Sequence, residues 1–221
     1  MVHRGLFITF EGPEGSGKTT LIQFLNKKIN HCINNGEIKF SGTLTTREPG
    51  GKNNLLSEEI RNILLNKKDA CNIPNITEAL LFAASRSAHV IQTIKPALEN
   101  NEIVLCDRYL DSSIVYQGYV RGLGVELVTK INEFAIQGLL PDITFYLDVD
   151  PQVGLDRIKN NNRDTNRFDD ENLNFHFQIA KSYKEYFANK SNVIRLDANL
   201  SIDTLVDKCI EVIKNYENKH E

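Results

Sequence analysis

The chain has no apolar run approaching the ~20 residues that a membrane-spanning helix needs, so helical membrane proteins are excluded. It has no Pro-, Gly- or Ser-rich linker and no internal repeat, which leaves no compositional boundary between domains; residues 1–221 are expected to form a single domain. It has no excess of positive charge. With 26 Lys and Arg against 29 Asp and Glu, the net charge of −3 offers no electrostatic basis for binding a nucleic acid polymer. Its four cysteines, at 32, 71, 106 and 209, form neither a CxxC pair nor a zinc-ligand spacing, and read as free thiols of a reducing compartment. The opening Met1-Val2-His3-Arg4 leads into a strand-like run broken at Glu11, too short for a signal peptide, so the expected location is cytoplasmic.

What is present alternates. Short apolar segments rich in β-branched or aromatic residues predict strands over Leu6–Glu11, Leu44–Arg47, Ile103–Asp107, Ile143–Val149 and Val193–Asp197. Helical periodicity falls between them, over Thr19–Asn30, Asn75–Glu99, Glu126–Leu140, Asn172–Ala188 and Ile202–Tyr216. The alternation predicts a three-layer α/β fold with a five-stranded parallel sheet covered on both faces. In such sheets ligands bind beyond the carboxyl ends of the strands. The polar stretch from Asn160 to Asn166 has no hydrophobic period and reads as an exposed loop.

Directly after the first strand, Gly12-Pro13-Glu14-Gly15-Ser16-Gly17-Lys18-Thr19 fits the pattern GxxxxGK[ST] and opens a helix. Glycines there let backbone N–H groups converge on phosphate oxygens at a helix N-terminus. Lys18 would reach the β- and γ-phosphates and the Thr19 hydroxyl would ligate Mg²⁺. The motif specifies a nucleoside triphosphate and no more, and no NKxD segment for reading guanine accompanies it.

Four further segments follow in order: Thr46-Arg47-Glu48-Pro49-Gly50-Gly51; Leu80-Leu81-Phe82-Ala83-Ala84-Ser85-Arg86; Asp107-Arg108-Tyr109-Leu110-Asp111-Ser112-Ser113-Ile114-Val115-Tyr116-Gln117-Gly118; and Val149-Asp150-Pro151-Gln152-Val153-Gly154-Leu155-Asp156-Arg157. Their order and spacing resemble bacterial thymidylate kinases, from about Gly5 to Asp197. The resemblance implies a P-loop nucleoside monophosphate kinase fold and transfer of a phosphoryl group from ATP to dTMP with Mg²⁺, in dTTP biosynthesis, by a homodimer with no nucleic acid or membrane partner.

It also implies roles, each beside a plainer one. Arg47, by a Pro-Gly-Gly turn, would lie at the monophosphate, or else form a surface salt bridge with Glu48. Phe82 and Arg86, four apart on one helix face, would stack on thymine and bond its exocyclic oxygen, or else serve as core and helix cover. Arg108 would bridge the two phosphates and Asp107 would hold or position the metal, or else the pair is structural. Ser113 would approach the pyrimidine, where many relatives carry Asn or Thr. Tyr116 would pack under the deoxyribose, leaving no room for a 2′-hydroxyl, with Gln117 near the base or sugar. Glu14, an acid in a phosphate loop, would lie by the 3′-hydroxyl or face solvent. Positions 13–16 carry no basic residue, so a lid at about 157–168 would bring positive charge through Arg157, Arg163 and Arg167, with Arg163 placed first. A phosphate nucleophile is already ionised at neutral pH, so no general base is expected and none of the five histidines receives a role. Another nucleoside monophosphate or deoxynucleoside kinase, or a non-catalytic P-loop protein, remains as the alternative.

Overall fold

The computed structural model describes residues 4–51, 54–66, 73–160 and 165–220. Five parallel strands, β1 (Leu6–Glu11), β2 (Gly42–Arg47), β3 (Glu102–Asp107), β4 (Ile143–Asp148) and β5 (Val193–Asp197), form one sheet in the order β2-β3-β1-β4-β5. β1 is central because it is buried on both faces. Leu6, Ile8 and Phe10 enter the core shared with α1 (Lys18–Asn34) and α9 (Ile202–His220), while Phe7 enters the opposite core with Val90, Ile94 and Tyr109. This is the period-2 alternation of a strand between two helical layers. The chain crosses from β1 to β2 on one side and from β3 to β4 on the other, so a crevice opens past the carboxyl end of β1.

β2 begins two residues earlier than the predicted Leu44, because Gly42 and Thr43 continue the pairing with β3. The expected helix from Asn75 to Glu99 is three pieces: α3 (Asn75–His89), a wider π turn at Val90–Ile94, and α4 (Lys95–Glu99). The wide turn ends two residues before Pro96, which lacks an N–H and whose ring would clash with a carbonyl one turn back in a regular helix. The helix expected to reach Leu140 is α6 (Val125–Ile136), closed by Gln137 at φ 48.

Three helices escaped the periodicity. α2 (Leu55–Leu65) carries a legible start signal, an Asn54 cap whose side chain accepts from the Ser57 N–H at 3.0 Å. α5 (Leu110–Ser113) and the π turn Ile114–Val120 are short and buried. α7 (Pro151–Asn160) starts on a proline just after Asp150, whose carboxylate accepts from the Gln152 N–H at 2.9 Å. α7 therefore takes Asn160 out of the expected loop, and α8 (Leu173–Phe187) follows it. Residues 161–164, including Arg163, lie outside the described part of the chain. Among the described residues no helix is long and apolar enough to cross a membrane.

Candidate active site

The strands end on one edge with Glu11, Arg47 and Asp107, and the segments after them line a single open cleft of about 1340 Å³. One end holds the Gly12–Thr19 loop, and the other holds Phe82, Arg86, Ser113, Tyr116 and Gln117. The phosphate-type loop and the four distant segments thus share one space.

Lys18 caps its own loop, donating to the carbonyls of Gly12 at 3.0 Å and Pro13 at 2.9 Å and to Ser16 Oγ at 3.1 Å. Burial and the nearby Arg108 charge pull its pKa down to about 8, against the opposing pull of Asp107, Glu14 and Glu11. The loop sits hard against α7: a Cβ on Gly15 would lie 2.0 Å from the Gly154 carbonyl oxygen, and a Cβ on Gly154 would lie 2.4 Å from the Glu14 carbonyl oxygen. Only two glycines permit that approach. Thr19 Oγ1 donates to Asp107 Oδ2 at 2.7 Å, so the hydroxyl and carboxylate expected at the metal adjoin. Among the described residues no cluster of three or more His, Cys, Asp or Glu side chains is arranged as a metal cage. A hydroxyl and a carboxylate at the loop suit Mg²⁺, which keeps waters and takes further oxygens from phosphates.

Glu14 does not face solvent; its side chain is 9% exposed. Its Oε1 accepts from Tyr116 OH at 2.5 Å and from Arg108 Nη2 at 3.1 Å. Burial pushes this carboxyl up, but Arg108, His176, Lys18 and Tyr116 together hold it at about 2. Oε2 has no hydrogen-bond partner among the described residues, with His176 Nδ1 3.8 Å away. Arg108 and Asp107 are therefore not paired with each other. Arg108 adopts φ 70, a conformation that strains a side-chain-bearing residue. The bond on its far side is fixed by the Tyr109 N–H, which donates to Glu11 at 2.8 Å. The Arg108 guanidinium donates through Nη1 to Ser112 and Tyr183, both at 3.1 Å, and lies over the Tyr116 ring. Glu11, beneath this cluster, also accepts from Ser112 Oγ at 2.6 Å and Tyr183 OH at 2.9 Å. Burial and the Asp111 charge raise Glu11 to about 7.

The expected alternatives at Arg47 and Arg86 both change. Arg47 Nη2 donates to Glu58 on α2 at 3.1 Å, not to Glu48. Glu48, on the turn just past β2, points inward instead and accepts from Arg86 Nε at 2.7 Å. Arg86 is 2% exposed and covers no helix surface. It donates to Asn132 Oδ1, to the Tyr109 carbonyl at 3.1 Å and to Ser113 Oγ at 3.0 Å. Ser113 thus meets Arg86 as well as the cleft.

Phe82 borders the cleft beside Phe168, 6.2 Å between ring centres, and Phe168 packs edge-on against Tyr116 at 5.8 Å. Gln117 borders the cleft but donates its amide to the buried Glu78 at 2.8 Å. Of the described lid arginines, Arg157 borders the cleft and donates to the Ala198 carbonyl at 3.1 Å. Arg167 is spent elsewhere, on Glu78 Oε2 at 2.5 Å and on the Leu64 carbonyl.

Sequence reasoning missed Phe168, Tyr183, Arg61, His89 and His176. Arg61 borders the cleft and donates to the Pro49 carbonyl at 2.6 Å; burial and the neighbouring Arg47 lower it to about 10. None of these residues belongs to a contiguous motif; the fold alone brings Arg61 and Phe168 to the cleft and sets Tyr183, His89 and His176 behind its wall, bonded to or beside Glu11, Glu48 and Glu14.

A family model described as thymidylate kinase matches residues 10–209. A thymidylate kinase of Staphylococcus haemolyticus is 46% identical over 211 residues, covering 95% of this chain and 98% of its own length. One of Staphylococcus epidermidis is 47% identical over 211 residues, with the same coverage of 95% and 98%. One of Clostridium novyi is 45% identical over 216 residues, covering 97% of this chain and 99% of its own.

Proposed function

The chain belongs to the thymidylate kinase family, and from that premise we propose how its own residues transfer a phosphoryl group from ATP to dTMP. The observation that carries the proposal is the single cleft joining the Gly12–Thr19 loop to the Phe82, Arg86 and Tyr116 wall. It holds donor and acceptor in one space, as in-line transfer requires.

ATP phosphates take the N–H groups of residues 14–19. Lys18 leaves the Gly12 and Pro13 carbonyls for the β- and γ-phosphates, whose negative charge opposes the burial and the Arg108 charge that lower its pKa. Thr19 and Asp107 would hold Mg²⁺, which would supply positive charge against the phosphates. The dTMP phosphate meets Arg108 and Arg47, with Arg61 behind them. Thymine lies against Phe82, its edge facing Arg86 and Ser113. The deoxyribose packs on Tyr116, with Gln117 nearby and Glu14 Oε2, a buried acceptor lacking a donor, at its 3′-hydroxyl. No residue is assigned as general base, because the attacking phosphate oxygen is ionised at neutral pH. Of the expected lid arginines, Arg163 and Arg157 are assigned to add charge over the moving group, while Arg167 pairs with Glu78.

We assign residues 1–221 to one domain that pairs as a homodimer in the cytoplasm. The exposed apolar face of α3 and α6, where Leu80 and Phe134 border a shared groove and Phe134 is 84% exposed, supports the pairing. A coupled ADP-release assay across dTMP, dUMP, UMP, CMP and dCMP tests the reading. Release that depends on dTMP, and is at least about tenfold more efficient with dTMP than with the cytosine nucleotides, is expected. Release independent of any monophosphate refutes it.

A further inference from the structure

Behind the cleft wall runs a buried chain of polar side chains. The Thr46 Oγ1 and His89 Nε2 atoms are 2.7 Å apart, His89 Nδ1 is 3.0 Å from Glu48 Oε1, and Glu48 Oε2 takes the Arg86 Nε–H at 2.7 Å. The Nδ1–H tautomer of His89 satisfies both neighbours: Nδ1 donates to the carboxylate and Nε2 accepts from the threonine hydroxyl. His89 is 0% exposed and does not border the cleft. It reaches the cleft wall through two hydrogen-bond partners, Glu48 and Thr46, of which Glu48 is the one bonded to Arg86.

We propose that His89 is a positioning residue for base selection, fixing Glu48 so that Glu48 fixes the Arg86 guanidinium facing the pyrimidine. The inference rests on the reading of Arg86 as the base-edge donor.

Glu48 lies just past the end of β2, on a turn, and without a second partner its carboxylate would be free to rotate about its side-chain bonds. His89 supplies that partner from α3, and Thr46, locked in β2 opposite Cys106, fixes the other ring nitrogen. The imidazole is thus held at both ends between the sheet edge and the turn. The turn is shaped to admit it: Gly51 stands at φ 148, and a Cβ there would lie 2.7 Å from His89 Cδ2. Arg86 and His89 sit three residues apart on α3, so one helical turn carries both the base-facing donor and its support. The Arg86 fork is then pinned at Nε by Glu48, at Nη1 by Asn132, and at Nη2 by Ser113 and the Tyr109 carbonyl. Of these, the Glu48 bond is the one made to a charged partner, and such bonds are the stronger ones.

The test compares His89→Leu, which removes both hydrogen bonds, with His89→Asn, whose amide keeps a donor near the Nδ1 position. Dissociation constants for dTMP are measured by calorimetry, alongside KM for ATP and the dTMP:dCMP efficiency ratio. His89→Leu is expected to weaken dTMP about tenfold or more, to move the ATP KM less than about twofold, and to narrow the base ratio. His89→Asn should recover dTMP affinity to within about threefold of the parent. If dTMP and ATP weaken together, or only thermal stability falls, the proposal is overturned. Should His89→Leu not fold, Thr46→Val loosens the same ring and should give a smaller shift confined to dTMP; an unchanged dTMP constant there also overturns it. Arg86→Lys is run in parallel. If that variant loses dTMP affinity while His89→Leu does not, only the role of His89 fails; if neither loses it, the base-edge reading of Arg86 fails as well.

Discussion

Tyr116→Phe removes one oxygen atom, and with it a donor to the shared Glu14 carboxylate. In the parent the Tyr116 hydroxyl donates to Glu14 Oε1 at 2.5 Å, beside the Arg108 donor at 3.1 Å. A hydrogen bond to a buried charged group contributes about 1.5–3 kcal/mol. For a chain of this size that corresponds to a fall in Tm of roughly 3–12 °C. Glu14 sets the pH window. Its folded pKa is held down at about 2, so its stabilising contribution is full above the ordinary carboxylate value and is lost as pH falls through the folded one. Losing one of the groups that hold it down raises the folded pKa, so the stability gap between parent and variant should be constant above about pH 5 and shrink as pH falls through the variant's raised folded pKa toward about 2.

The ring itself remains, wedged edge-on against Phe168, Phe175 and Tyr183. If ring shape excludes the 2′-hydroxyl, discrimination between dTMP and ribothymidine monophosphate, at least about tenfold in the parent, should survive in Tyr116→Phe. The efficiency with dTMP should still fall about tenfold as Glu14 and Arg108 lose their shared anchor. Coupled ADP release with both monophosphates and melting curves from pH 3 to 8 measure all three quantities. Loss of discrimination with the ring intact would refute the steric account and assign sugar choice to the hydroxyl. An unchanged Tm at pH 7 would refute the stabilising role of the Glu14 contact.

Lys18→Ala should lower kcat at least about a hundredfold in the same assay, with a far smaller change in dTMP affinity, because its charge acts on the transferred group. Since Lys18 titrates at about 8 and phosphate oxygens favour its charged form, ATP binding at pH 8.5 should take up protons, seen as a buffer-dependent heat in calorimetry and absent from Lys18→Ala. The lid arginines should separate: Arg163→Ala lowers kcat more than it changes either KM, whereas Arg167→Ala, which abandons the buried Glu78, lowers Tm by several degrees, and the reverse pattern would reassign them.

Sequence by itself determined the parts whose physics is local. A glycine-rich loop between a strand and a helix is written in contiguous residues, so the β1–loop–α1 passage through residues 12–19 was legible. Buried parallel strands announce themselves as short apolar runs, and all five were found, with β2 only truncated where Gly42 and Thr43 carry no apolar signal. α2 and α7 had readable caps at Asn54 and Asp150 but too few turns for a periodicity to stand out. Partnership among polar side chains was decided by the tertiary structure alone. Glu48 was adjacent to Arg47 in sequence, yet it bonds Arg86, 38 residues away, while Arg47 bonds Glu58. Tyr183 reaches Glu11 across 172 residues and His89 reaches Thr46 across 43. Those pairings follow from the order in which the strands lie and from which face of each element turns inward. No short-range pattern encodes that order, so the supports beneath Arg86 and Arg108 appear only when the chain has crossed its sheet and closed its core.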